Sequence, residues 1–108
     1  MKLLVVRYDR ERGSDDAEQE ARFLDGAQRI AGLPGLVWKL WSHDDGARRA
    51  ENVYLFETDE QARAWGDGPL VPSLSSYPGV SGIEVRYYDV DERLSAVTRA
   101  PLGASTVA

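Results

Sequence analysis

The chain has no cysteine and a single histidine, His43. Without thiols there are no disulfides, no thiolate metal sites and no cysteine nucleophile. One imidazole also argues against a histidine-rich metal centre. No apolar run approaches the ~20 residues a membrane span needs. The N-terminal stretch Met1 to Arg7 is too short to be a signal-peptide core and reads as a strand instead. Positive charge is scarce: the net charge is −5, and Arg48-Arg49 is the only adjacent basic pair, in a turn. Nucleic acid and membranes are therefore not expected as partners. Phosphate-binding glycine loops and the Gly-x-Ser-x-Gly elbow are absent, which disfavours nucleotide cofactors and hydrolase triads. The lack of cysteine suits a reducing cytoplasm.

What is present are 108 residues, a single-domain length. Lys2 to Tyr8 reads as a first strand, followed by a loop over 9–14. Asp15, with Glu18 three residues on, is read as an N-terminal cap. Phe23, Leu24, Ala27, Ile30 and Ala31 recur at helical spacing, giving a helix over 16–31 that Gly32 and Pro34-Gly35 end. Gly26 lies inside it, at a cost of ~1 kcal/mol relative to alanine. Leu36 to Ser42 is a second strand, His43 to Glu51 a turn, and Asn52 to Glu57 a third strand, antiparallel to the second. Thr58 and Gln61 form a second capping pair, opening a helix that ends near Gly66 or Gly68. The segment 69–82, broken by Pro69, Pro72 and Pro78, is expected to be a loop with one short helical turn. Ile83 to Val90 is the fourth strand. Residues 91–99 are a helical arm, and 100–108 a flexible tail.

The order β-α-β-β-α-β predicts an α+β, ferredoxin-like domain over residues 1–99. Right-handed crossovers place both helices on one face of a four-stranded antiparallel sheet. The other face is left bare. In the second strand Val37, Lys39 and Trp41 alternate with Leu36, Trp38 and Leu40, so both sides carry large apolar groups. A homodimer through the open sheet face is the expected solution. The alternative is an acylphosphatase-like or small regulatory domain with an open sheet.

The stretch Pro34-Gly35-Leu36-Val37-Trp38-Lys39-Leu40-Trp41-Ser42 resembles the PGFLWKVWTE segment of the YdhR-like monooxygenases. Val53 to Phe56 is similar to that family's IYLF strand, and Thr58 to Ala62 to its TDEKSA helix start. Tyr88 to Ser95 is similar to its closing FDVNEPLS. The resemblance runs over about 33–96. It implies a dimeric α/β barrel, in which two ferredoxin-like sheets pack face to face. It also implies kinship with cofactor-free monooxygenases of antibiotic biosynthesis, with heme-degrading enzymes and with muconolactone-isomerase-like proteins. The segment 67–79 departs from the family, being richer in proline and less helical.

Oxygenation without a cofactor needs an electron-rich substrate, an apolar pocket, a base and donors for the oxyanion. Three tryptophans and five tyrosines supply flat surface with polar handles. Trp38, Trp41, Tyr54, Trp65, Tyr77, Tyr87 and Tyr88 are the candidate lining, each with an alternative place in the core or an interface. His43 is a candidate base by its ordinary titration range, or else an exposed loop residue. Lys39 and Arg86, within strands, are candidates to hold a phenolate, enolate or carboxylate, or else form ion pairs. Asp89 and Asn52 are further candidates, as a base and an oxyanion donor. The expected function is a cofactor-independent monooxygenase on a small aromatic or polyketide-like substrate. The alternatives are an isomerase, cyclase or dehydratase on the same scaffold, or a protein that binds aromatic ligands without turnover.

Overall fold

The computed structural model describes residues 1–103. The elements are β1 (Lys2–Arg10), α1 (Ala17–Ile30), β2 (Leu36–Leu40), β3 (His43–Asp44), β4 (Arg49–Phe56), α2 (Asp59–Gly66), α3 (Leu70–Ser75), β5 (Val80–Asp89) and α4 (Glu92–Val97). The sheet runs β2-β4-β1-β5, antiparallel throughout, and β3 pairs with the far end of β4. This is the ferredoxin-like α+β arrangement. Each helical connection passes over one intervening strand, α1 over β4 and α2–α3 over β1, so the helices share a face.

Strand alternation decides what they cover. Leu4, Val6 and Tyr8 of β1 and Ala50, Tyr54 and Phe56 of β4 are almost completely buried. Ile83, Val85 and Tyr87 of β5 pack on the same core. The residues between them, Leu3, Val5, Val53 and Leu55, point to the outer face.

Several boundaries differ from the sequence expectation for local reasons. Asp16, not Asp15, caps α1: the Asp16 N–H donates to the Gly13 carbonyl, and the Asp16 side chain accepts from the Gln19 N–H. Thr58 caps α2 by accepting from the Gln61 N–H, as read from the sequence. β2 stops at Leu40 because the Ser42 N–H turns to the Asn52 side chain at 3.1 Å instead of a ladder carbonyl. The expected turn from His43 is thus a short strand first, with His43 opposite Ala50. β5 starts three residues early, at Val80. Gly82, at φ +62°, accommodates a β-bulge against Arg7–Asp9. The expected loop over 69–82 holds the six-residue α3. Pro72 is tolerated there because it falls in the first turn, where the missing N–H has no helical acceptor.

The segment from residue 100, expected to be loose, is anchored at its start. Trp38 Nε1 donates to the Pro101 carbonyl at 2.6 Å, and Leu102 is buried. The rest of that expected tail, 104–108, lies outside the described residues. Among the described residues no helix is long and apolar enough to cross a membrane.

Candidate functional site

A cavity of about 240 Å³ lies between the sheet and helices α1, α2 and α3. Lys39 enters it from β2. Its register partner is Tyr54, on the helix-covered face, and Trp41 follows two residues on. The Lys39 Nζ is 3.2 Å from the centroid of the Trp41 ring and 4.5 Å from that of Tyr54. No carboxylate pairs with it among the described residues. The two rings attract a cation by about 0.5–2 kcal/mol. That does not offset the lost hydration, and burial pulls the amine down to a pKa of about 7. Lys39 is therefore divided between amine and ammonium near neutrality.

Two further residues of the lining, Tyr54 and Trp65, each close off a polar atom. The Tyr54 hydroxyl and the Trp65 Nε1 are buried and make no hydrogen bond among the described residues. Burial holds the Tyr54 phenol well above its ordinary range, an effect the neighbouring Trp65 indole reduces. Asn52, expected as an oxyanion donor, does line the cavity; its side-chain oxygen accepts from the Ser42 N–H, and its amide bonds to Tyr8.

The rim is aromatic. Phe23 packs on Tyr77 with centroids 4.6 Å apart, and on Trp41 at 5.9 Å. Gly26 permits this: a Cβ there would lie 2.7 Å from the Tyr77 hydroxyl oxygen. Phe23 and Trp41 also wall a second, shallower depression that contains His43. The His43 Nε2 is 4.0 Å from an Asp45 carboxylate oxygen. His43 thus faces the neighbouring depression and not the lysine cavity.

The fold brings Lys39, Trp41, Tyr54, Trp65 and Tyr77 to one cavity. It does not bring Trp38, Arg86 or Tyr88 there. Trp38 lies opposite Leu55, Arg86 opposite Val5 and Tyr88 opposite Leu3, all on the outer face. Arg86 and Tyr88 line a polar outer hollow with Arg7, Glu51 and Glu84. Asp89 pairs with Lys2, raising the lysine pKa. Tyr87 does face the helices, but its hydroxyl donates to Asp67 at 2.7 Å. Burial and that carboxylate push its phenol up. Phe23, Arg29 and Ser73 line the cavity without having been singled out as site residues. Phe23 was legible only as part of the α1 core stripe. A cation beside that stripe, Arg29 next to Ile30, was the available signal for the second.

Among the described residues no group of three or more His, Asp or Glu side chains is placed to hold a metal ion. The lysine cavity has no imidazole in its lining, so it does not offer a heme the usual nitrogen ligand.

A ferredoxin-like sheet with an aromatic cavity beneath its helices defines a class of small α+β proteins with a ligand cavity. Within that class, the family model described as "Putative mono-oxygenase ydhR" matches residues 3–101, and the chain belongs to this family. No curated protein matches the sequence. Among solved structures, the chain is similar to the heme degrader MhuD of Mycobacterium tuberculosis, at 21% identity and a TM-score of 0.62 over 84% of this chain and 96% of that one. It is similar to SnoaB, a cofactor-independent oxygenase from Streptomyces nogalater, at 19% identity and a TM-score of 0.63 over 84% and 93%. The monooxygenase ActVA-Orf6 of Streptomyces coelicolor, in complex with nanaomycin D, matches at 20% identity and a TM-score of 0.64 over 82% and 86%. At these identities the likeness is one of fold.

Proposed function

We propose that the chain is a cofactor-independent monooxygenase acting on a small aromatic or polyketide-like substrate in the Lys39 cavity. The observation that carries the reading is the half-buried lysine without an anion, its pKa near neutral, between two aromatic faces. A neutral amine in that position is a general base. Family membership and the fold shared with a cofactor-independent oxygenase support the same choice.

The chemistry starts with the Lys39 amine removing an acidic C–H or O–H proton of an electron-rich arene. The resulting anion is held by the ammonium. It passes one electron to dioxygen, and the radical pair recombines to form a C–O bond. Lys39 returns its proton to the peroxide. A second deprotonation at the same carbon breaks the O–O bond, leaving a carbonyl and water. In sum, a CH₂ group and O₂ become C=O and H₂O, with no further reductant.

The test is oxygen uptake by the metal-stripped protein with anthrones, hydroquinones and polyphenols, without added cofactor. Uptake stoichiometric with product is the expected result. Product formed equally under nitrogen overturns the oxygenase in favour of an isomerase, cyclase or dehydratase. Binding without product leaves a ligand-binding protein.

The same reading makes the chain a cytoplasmic homodimer whose outer sheet faces close an α/β barrel. The helices of the core leave that face without cover, and Leu40 is 59% exposed on it. On α4, Leu94 and Val97 are 62% and 75% exposed, an apolar pair left bare among the described residues. Light scattering at micromolar concentration is expected to give twice the 12.0 kDa chain mass. Leu40→Lys should halve it. A wild-type monomer removes the barrel.

A further inference from the structure

The chain is acidic, with 18 Asp and Glu against 13 Lys and Arg. Its cavity reverses that balance. Lys39 and Arg29 both line it, and no Asp or Glu does. Outside the cavity several cations are paired, Lys2 with Asp59 and Asp89, Arg10 with Glu20 and Arg63 with Asp59. The Arg29 side chain makes no hydrogen bond or ion pair among the described residues, although Asp25 is only one turn away. It projects from the last turn of α1 at the rim, beside Gly26 and the Tyr77 ring. A Cβ on Gly26 would lie 3.9 Å from an Arg29 terminal nitrogen.

The rest of the polar lining, Asn52, Tyr54, Trp65, Ser73 and Tyr77, is made of amide, hydroxyl and indole groups. The lining thus offers the Arg29 guanidinium and Lys39, divided between ammonium and amine near neutrality, with no anionic acceptor. A neutral hydrocarbon would leave the Arg29 guanidinium without a partner, and a cationic ligand would be repelled. A guanidinium at the rim matches a carboxylate in geometry as well as charge, through two parallel N–H donors.

We propose that the ligand of this cavity is an aromatic acid: a flat apolar body with a carboxylate held by Arg29 at the rim and an ionisable hydroxyl or enol directed inward to Lys39. The proposal rests on the reading of the cavity as the substrate site and names the class of substrate it takes. Arg29 is the specificity-determining residue, selecting which arene enters without taking part in proton transfer.

The experiment compares 6-hydroxy-2-naphthoate with its carboxamide, a neutral probe of nearly the same shape, by tryptophan quenching in the full-length protein at pH 7. One charge-assisted bidentate pair is worth about tenfold or more in affinity, so the acid should bind at least about tenfold tighter than the amide. Arg29→Gln should erase this preference while leaving the amide affinity within about twofold, and Arg29→Lys should restore part of it. Arg29 is exposed and has no structural partner, so these variants keep the fold. Equal binding of acid and amide by the wild type overturns the proposal. So does an Arg29→Gln variant that loses both probes equally. Preference for the acid with no oxygen uptake sinks the oxygenase reading alone. Oxygen uptake on the amide equal to that on the acid sinks the aromatic-acid proposal alone. Binding of neither probe overturns the cavity as a substrate site, and the proposal with it.

Discussion

Methionine in place of Lys39 is expected to remove oxygen uptake and to stabilise the fold at the same time. Loss of a positioned general base lowers turnover by about 10²–10⁴-fold. The wild-type rate should rise with pH through about 7, because the deprotonated amine is the active form and its pKa stands there. The stability arm has the opposite sense to an ordinary lysine. An unfolded lysine titrates near 10.5, and the folded one near 7. Between those values the unfolded chain binds more protons, so wild-type stability rises with pH across that window. Below pH 7 the full cost of an unpaired cation in the cavity is present. Methionine keeps the stem volume and removes that cost, with a gain of about 1–2 kcal/mol near pH 6 that fades toward pH 10. Thermal melts of both proteins across this range, beside the pH–rate profile, check the pair of expectations. A destabilised Lys39→Met protein, or a rate independent of pH from 6 to 8, would sink the assignment of Lys39 as base.

The order of elements could be read because each carries its own local signal. The helical stripe from Phe23 to Ile30, the Thr58 cap and the glycine-proline breaks are short-range facts. The face on which each strand residue ends could not be read. Trp38, Lys39, Leu40 and Trp41 alternate in the sequence, but large groups on both sides hid which side the helices cover. Pairing settles it: Lys39 stands opposite Tyr54 and Trp38 opposite Leu55. The same register removes Arg86 and Tyr88 from the cavity, although as residue types they were equal candidates. His43 was attractive by its chemistry alone; the aromatic pair Phe23–Trp41 stands between it and the lysine. Arg29 was hidden because a basic residue in the last turn of a helix already has a reason to be there, the helix dipole. Its lack of an ion pair among the described residues, and the absence of Asp and Glu from the cavity lining, are facts of the tertiary structure.

The second large effect is expected at Gly66, and it joins the fold to the site. Gly66 is the last residue of α2, follows Trp65 directly and is buried against the sheet. A Cβ there would lie 2.1 Å from the Tyr87 hydroxyl oxygen and 2.7 Å from a methyl of Leu4. The Tyr87 hydroxyl is tied to Asp67, and Leu4 is at the fully buried centre of the core, so neither yields freely. A side chain at Gly66 gains at most ~1 kcal/mol in helix propensity, less at a helix end. Overpacking a dense core costs about 1–3 kcal/mol and more for a β-branched group. Overpacking therefore wins, and Gly66→Val should lose about 3 kcal/mol, a fall of more than ~10 °C in Tm. Because α2 must lift to make room, Trp65 leaves the cavity, and ligand binding should fall even at temperatures where the variant is folded. Gly26→Ala is the contrast. There the clash is with the far end of Tyr77 alone, and the propensity gain in mid-helix offsets much of it. Tyr87→Phe placed on Gly66→Val should recover part of the loss by removing the nearest atom. The ring carbon at 2.9 Å and Leu4 remain, so recovery should stay incomplete. Chemical denaturation of the two singles and the double measures that coupling. Additive losses would mean that α2 does not seat on Tyr87 through Gly66, and the link from this contact to Trp65 would fall with it.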